Sequence, residues 1–536
     1  MLFNSHEFIL LFLPISLLGF FLISSTGHYQ IVTIWLVAVS MFFYAWWNPV
    51  YLKLLIFSIL FNYYLGIILS QSQINNFKSK LILSGGISFN LALLGYFKYA
   101  IFLITVVNSI INTNFTLQQI ILPLAISFFT FQQIAYLIDA YRGKTKEYSF
   151  LNYCLFVSFF PQLIAGPIVH HQEIIPQFED RSIYKFEPEN LAIGLAMFSI
   201  GLFKKVIIAD GVAIYVNQVF DLVAYNTSIT FTEAWVGAFA FYLQIYFDFS
   251  AYSDMALGTA RTFGIKLPLN FNSPYQATNM SEAISRWHIT LNRFLRDYLS
   301  IPISRLLQKL FKSKNNQGQQ ILLYINIIIT MLLSGLWHGA GWTFILWGGY
   351  LGVCIVIYYL WRDLCKLLGQ NSRKIPWWHH GFGWFITMLA SVVSLVFFRA
   401  ESLNSARIIL QSMFSFNKIS LPTVFSNELG FLSDFGITFN GLMPHIQTRS
   451  IDIISWIGFL LLIVWLAPNT QYLLKDYHPA LDSYVFRISL NWRNKVWHKL
   501  KLKWQLNQKW AIVTAIMMLI CILRMTQEQE FIYFQF

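Results

Sequence analysis

Long apolar runs separated by short polar stretches set the pattern of this chain from its first residues. A helix crossing a bilayer needs roughly 20 apolar residues. Apolar runs of 13 to 27 residues recur at Phe8–Ile23, Ile31–Tyr44, Leu52–Leu69, Leu81–Val107, Ile120–Ile138, Leu191–Val212, Phe231–Phe247, Ile321–Leu333, Trp342–Trp361, Phe382–Phe398, Ile451–Leu466 and Ala511–Leu523. The pattern predicts an all-α integral membrane protein with about a dozen transmembrane helices. Two stretches depart from it. Leu151–Val169 is apolar but interrupted by Pro161 and Pro167, and proline removes a backbone donor and breaks the turn before it. It is predicted to be kinked or re-entrant, because broken backbone survives at membrane depth only where protein or water satisfies it. Ser281–Asp297 places Ile284, Trp287, Leu291, Leu295 and Tyr298 at helical spacing with Ser285, Asn292, Arg293 and Arg296 opposite. This predicts one amphipathic helix lying at an interface, starting at Ser281 and ending at Pro302.

The polar stretches carry a topology, since Lys and Arg collect in cytoplasmic loops. With the N-terminus outside, the loops holding Lys78 and Lys80; Arg142, Lys144 and Lys146; Arg305 to Lys314; and Arg362, Lys366, Arg373 and Lys374 fall on the cytoplasmic side. The uncharged stretch 108–119 and the weakly charged region 401–450 fall outside, and a strongly basic segment at 468–509 is cytoplasmic. That segment holds Arg487, Arg493, Lys495, Lys499, Lys501 and Lys503, suited to anionic headgroups. Composition agrees: 56% of the 536 residues are hydrophobic and only 11% charged, against about 25% in soluble proteins. The net charge of +13 is topogenic, for no nucleic-acid module accompanies it. Met1–His6 lacks a positive n-region and no cleavage site follows the first run, which reads as a membrane helix. The four cysteines have no paired spacing, which argues against a disulfide framework, a zinc site or an acyl-cysteine intermediate. No internal repeat of the transporter kind is visible, and residues 1–536 read as a single polytopic domain.

Polar groups within such a chain are the candidates for chemistry, because ionisable residues at membrane depth usually serve a site or pathway. His338 stands out, lying in Ser334–Trp342 between an outward and an inward run. An imidazole can act as a base near neutral pH; the competing reading is a packed histidine bonded to a neighbouring helix. Gly335, Gly339 and Gly341 either admit substrate to the backbone or let helices pack closely, and Trp337 shapes the pocket. Lys204 and Lys205 either snorkel or face an anionic ligand, snorkelling being favoured. Asp248 and Asp254 are a second acid/base pair or structural hydrogen-bond formers. Arg286, Arg293 and Arg296 suit the phosphates of a nucleotide-bearing donor, or lipid headgroups. The pairs His170–His171 and His379–His380 are adjacent, and adjacent residues on a helix do not converge, so no metal site is expected.

Eight stretches, in order, carry a resemblance: Leu122–Gln132 (LPLAISFFTFQ), Phe159–Pro167 (FFPQLIAGP), Gly201–Lys205 (GLFKK), Tyr246–Asp254 (YFDFSAYSD), Arg286–Thr290 (RWHIT), Arg296–Leu299 (RDYL), Ser334–Ala340 (SGLWHGA) and Phe397–Ala400 (FFRA). Together they make the region from about 120 to 400 resemble the membrane-bound O-acyltransferase (MBOAT) family, in its bacterial branch concerned with alginate O-acetylation. Ala251, where glycine is expected, and Thr290, where serine is usual, are mild departures. The resemblance implies a ring of membrane helices around a central funnel. It carries the family's invariant histidine onto His338 and its second signature position onto His288, which either shares catalysis or makes a structural hydrogen bond.

For activity, the resemblance implies transfer of an acyl group, acetyl above all, from a cytosolic thioester such as acetyl-CoA to an exported polysaccharide such as alginate. No cofactor stays bound. A periplasmic or extracellular partner protein completes the delivery, and the cell inner membrane is the location. Two rivals stand beside this reading: D-alanyl transfer to teichoic acid on the same fold, and transport of the polymer without chemistry.

Overall fold

A computed structural model describes the chain except for residues 73–75, 146–148, 314, 370–376, 447, 482–502, 526–530 and 533–536. Lys146, Lys314, Arg373, Lys374, Arg487, Arg493, Lys495, Lys499 and Lys501 therefore lie outside the described residues.

The described chain is helical, with only isolated bridges in place of strands. Among the described residues, six helices are long and apolar enough to cross a membrane: Pro49–Gln71, Phe77–Ile111, Pro188–Ala224, Asn316–His338, Trp342–Leu367 and Trp378–Arg399. Three shorter apolar helices, Phe8–Ser24, Tyr29–Ala45 and Ser450–Leu466, accompany them. The protein is an all-α, multi-pass membrane protein. The chain divides into two compact units, one of Met1–Val206, Phe249–Asn270 and Pro468–Gln535, the other of Ile207–Asp248 and Phe271–Ala467.

In the first unit, helices Pro49–Gln71, Phe77–Leu94 and Ile126–Tyr141 pack on one another. Where they meet, Asn62 and Asn90 exchange side-chain amide hydrogen bonds of 3.2 and 2.7 Å, and Gln133 donates to the Ser58 hydroxyl at 3.0 Å. Such bonds hold helices together where lipid offers no hydrophobic drive for association. Gly194 and Gly258 bring helices Pro188–Phe203 and Phe231–Thr262 into backbone contact, and a Cβ at either would strike the other strand of backbone. The stretch around Pro161 is broken as expected. The helix Phe150–Ser158 ends at Phe159, a single turn Phe160–Leu163 follows with Pro161 in its first positions, and the chain then runs without helix to His170. Protein satisfies and buries this backbone: Gln162 Nε2 donates to the Phe156 carbonyl at 2.7 Å, and Phe160 N to the Ser40 hydroxyl at 3.2 Å.

The second unit contains the pair Asn316–His338 and Trp342–Leu367, in close register along their length. A methyl at Gly335 would meet the Phe344 carbonyl, and one at Gly348 the Met331 carbonyl. At Gly335 close helix packing is thus the role the structure shows. The described residues of 401–450 include the helix Leu403–Phe414 and a buried anchor: Glu233 accepts from the His445 amide at 2.8 Å and faces its ring at 3.0 Å.

The single amphipathic helix expected over 281–298 is replaced by two, Met280–Arg286 and Ile289–Leu295. Asn279, not Ser281, caps the first, accepting from Glu282 N at 2.9 Å. Pro302 does not end the segment; the helix runs on from Ile289–Leu295 through a π-helical turn, Arg296–Ser300, into Ile301–Phe311, and Pro302 comes just after that turn.

Candidate functional site

The break between those two helices builds one side of the site. His288 has φ +43°, in the left-handed region that a non-glycine residue adopts only where its surroundings hold it there. Three interactions supply that hold. Asn292 Nδ2 donates to the carbonyls of Ile284 and Trp287, both at 2.6 Å, spanning the break. The Arg286 carbonyl accepts from Asn272 N at 3.0 Å. Trp287 stacks on Tyr275, which lies flat on Tyr242 at 3.6 Å between ring centroids. The periodicity of 281–298 hid all of this, because Asn292 reads from sequence as a solvent-face residue when its amide is a bridge.

His288 is thereby turned inward and is 1% exposed. Burial lowers its imidazole to about 3, so it is neutral at physiological pH and serves as a hydrogen-bonding group rather than a cation.

His338 builds the other side. It is the last residue of Asn316–His338, at the C-terminal end of the helix dipole, where positive charge acquired in proton transfer is favoured. Its ring lies among aromatic rings: Trp337 at 4.8 Å, Trp347 at 5.0 Å and Phe398 at 5.6 Å between centroids, all edge-on. Trp337 also lies 6.4 Å from the His288 ring, so one indole separates the two imidazoles. Trp347 carries a buried indole N–H that makes no hydrogen bond among the described residues, beside the His338 ring. Gly339 is hemmed in by the Phe344 ring, while Gly341 has room for a side chain. His338, His288 and Trp337, chosen from sequence, are brought together. Trp347 was not singled out, since it is one of many aromatics in its run; Phe398 was visible in the stretch Phe397–Ala400.

The other candidates go elsewhere. Asp254 lies at 2.6 Å from Lys204 Nζ, accepts from the Thr470 hydroxyl at 2.6 Å and from Gln471 Nε2 at 2.9 Å. A carboxylate this well provided is a structural hydrogen-bond centre. Lys204 therefore does not snorkel. Lys205 does not either: it is buried, with its ammonium 4.6 Å from the centre of the Phe531 ring. Asp248 is buried in the helix Phe231–Thr262. Arg286 pairs with Glu282 at 2.5 Å, and exposed Arg296 binds Asp297 through two nitrogens at 2.7 and 3.2 Å. Arg293 is half-buried in Ile289–Leu295. Arg286 and Arg296 thus each pair with a carboxylate of the chain's own. All four cysteines are free.

One expectation fails on geometry. His170 and His171 converge after all: His170 Nε2 lies 2.6 Å and His171 Nε2 3.4 Å from the same Asp139 Oδ2. The rule against convergence holds for two helical neighbours, but His170 is an extended N-cap (φ −95°, ψ 142°) and only His171 is helical. Burial lowers the His171 pKa below its usual value, against the pull of Asp139.

A model of the membrane-bound O-acyltransferase family matches residues 141–398, which include His288, Trp337, His338, Trp347 and Phe398. The chain is 43% identical over 447 residues to the peptidoglycan O-acetyltransferase of Helicobacter pylori, covering 78% of this chain and 81% of that protein. It is 37% identical over 421 residues to the probable alginate O-acetylase AlgI of Pseudomonas aeruginosa, covering 78% and 75%. Likeness to the teichoic acid D-alanyltransferase of Streptococcus thermophilus is lower, 26% over 291 residues, covering 52% and 69%. The chain belongs to the membrane-bound O-acyltransferase family and is a multi-pass membrane O-acyltransferase.

Proposed function

We propose that this protein is an O-acetyltransferase of the cell inner membrane. It takes acetyl from a cytosolic thioester, acetyl-CoA by chemistry, for the hydroxyl groups of a polysaccharide outside that membrane. The observation that carries the reading is His338 at a helix end, walled by Trp337, Trp347 and Phe398, inside the stretch matched by the family. Acetyl rather than D-alanyl is favoured by the relatives, since the O-acetylating proteins match at 43% and 37% and the D-alanyl one at 26%. The reading of a glycan acceptor is supported by the same two names, a peptidoglycan and an alginate, both glycans with free hydroxyls.

His338 acts as general base. It takes the proton of the attacking hydroxyl as oxygen bonds to the thioester carbonyl. The tetrahedral intermediate then expels the thiolate, which recovers that proton. The Trp347 indole N–H is a donor for the developing oxyanion. Neutral His288, held across Trp337, positions the reacting groups. The immediate acceptor is a hydroxyl of a periplasmic or extracellular partner protein, or of the glycan itself.

Replacement of His338 by Gln, with insertion verified and acetyl esters on the envelope polysaccharides measured, tests the proposal. Loss of esters with polymer intact is expected. Unchanged ester content overturns it, and loss of the polymer itself points to transport.

A further inference from the structure

We propose that Asp139, His170 and His171 form a binding site for one Zn²⁺ ion where the end of helix Ile126–Tyr141 meets the start of helix His171–Glu179. Each residue offers one donor atom, and the three atoms lie within 4.8 Å of one another. Four ligands placed tetrahedrally about 2.1 Å from zinc stand about 3.4 Å apart. His171 Nε2 and Asp139 Oδ2 already have that separation, 3.4 Å, and His170 Nε2 at 2.6 Å needs to retreat by less than an ångström. Two imidazoles and one carboxylate oxygen suit Zn²⁺ and exclude Ca²⁺ and Mg²⁺, which take oxygen ligands.

The surroundings assign the donors. Both histidines face Oδ2 of Asp139, whereas Arg142 faces Oδ1 at 3.9 Å, so Oδ2 is the carboxylate oxygen that the two rings share. Glu173 accepts from His170 N at 3.1 Å and fixes the N-cap on which the two-ring arrangement depends. Gln172 donates to the Lys144 carbonyl at 2.8 Å and ties the loop after Asp139 to the same helix. Asp139 and His171 are buried, while the His170 side chain is 22% exposed, so the ion is reached from the His170 side. Ligation through His170 Nε2 moves the ring proton to Nδ1 and gives up a contact from Gln172 N. At 3.4 Å that contact is long for a hydrogen bond and weak. The bound ion clamps together two elements separated by the whole stretch 142–169, a structural role in the first unit.

The test uses full-length protein purified in detergent without a histidine tag, stripped with a chelator and titrated with Zn²⁺ against a chromophoric competitor. One equivalent is expected to bind, and to raise the thermal unfolding midpoint. Asp139→Asn and His171→Gln are expected to weaken binding by at least about 100-fold. Absence of stoichiometric binding, or binding unaltered in both variants, overturns the site; zinc-independent loss of stability in the variants would then mark a purely hydrogen-bonded cluster. Should the variants fail to insert, Co²⁺ decides on the unaltered protein. A visible absorption of tetrahedral Co²⁺ that Zn²⁺ abolishes supports the site, and no such band overturns it.

Discussion

Two buried polar centres of this molecule look alike in the sequence and differ in structure. Around Asp254, a carboxylate meets an ammonium, a hydroxyl and an amide, so each of its oxygens has a protein donor. Around His338, the ring neighbours are aromatic, and the indole N–H of Trp347 beside it makes no hydrogen bond among the described residues. Burial alone therefore does not mark chemistry in a membrane protein. A centre supplied with donors by its own chain holds helices together, whereas an imidazole walled by aromatic rings at a helix end is the candidate for acid–base chemistry.

Substitutions at the two centres should fail in different ways. The largest effect is expected at His338: His338→Gln should lower acyl transfer by about 10²- to 10⁴-fold, the usual worth of a general base, with the unfolding midpoint little changed. Assay of esters beside a thermal melt checks both halves. Asp254→Asn should do the reverse, costing about 3 kcal/mol of stability because it takes the counter-charge from a partly buried Lys204. The double variant Asp254→Leu with Lys204→Met should recover most of that loss in the same melt. If Asp254→Asn abolished transfer at full stability, the division between the two centres would collapse.

His288 sharpens the comparison at intermediate size. Its folded pKa of about 3 lies below the ordinary 6.5, so between these values the unfolded chain binds the extra proton. Its contribution to stability is complete above about pH 6.5 and is lost as pH falls toward 3. His288→Asn, which tolerates the left-handed backbone, should flatten this acid-side loss in melts across that range and slow transfer by about 10- to 100-fold through misplacement. The smallest effect is expected at Gly335. Gly335→Ala pushes a methyl against the Phe344 carbonyl and should cost about 1–3 kcal/mol, read as a lower midpoint.

Much of the architecture was legible in the sequence. Runs such as Leu52–Leu69 and Phe382–Phe398 become membrane-length helices because hydropathy is a local property, set by residues that are neighbours in the chain. His338 and Trp337 were legible for a related reason: an imidazole in an apolar run is costly, and the glycines around it announce close packing.

What tertiary structure alone decided are the partnerships. Asp254 finds Lys204 fifty residues back and Thr470 far ahead, and no periodicity encodes such a meeting. Asn292 ties down Ile284 and Trp287, which turns a plausible continuous helix into two and aims His288 inward. His170, extended where its neighbour is helical, brings a second ring to Asp139. In each case the pattern of side chains determined which segments are buried. The backbone's departures from regular form, paid for by contacts distant in sequence, determined which polar atoms face one another.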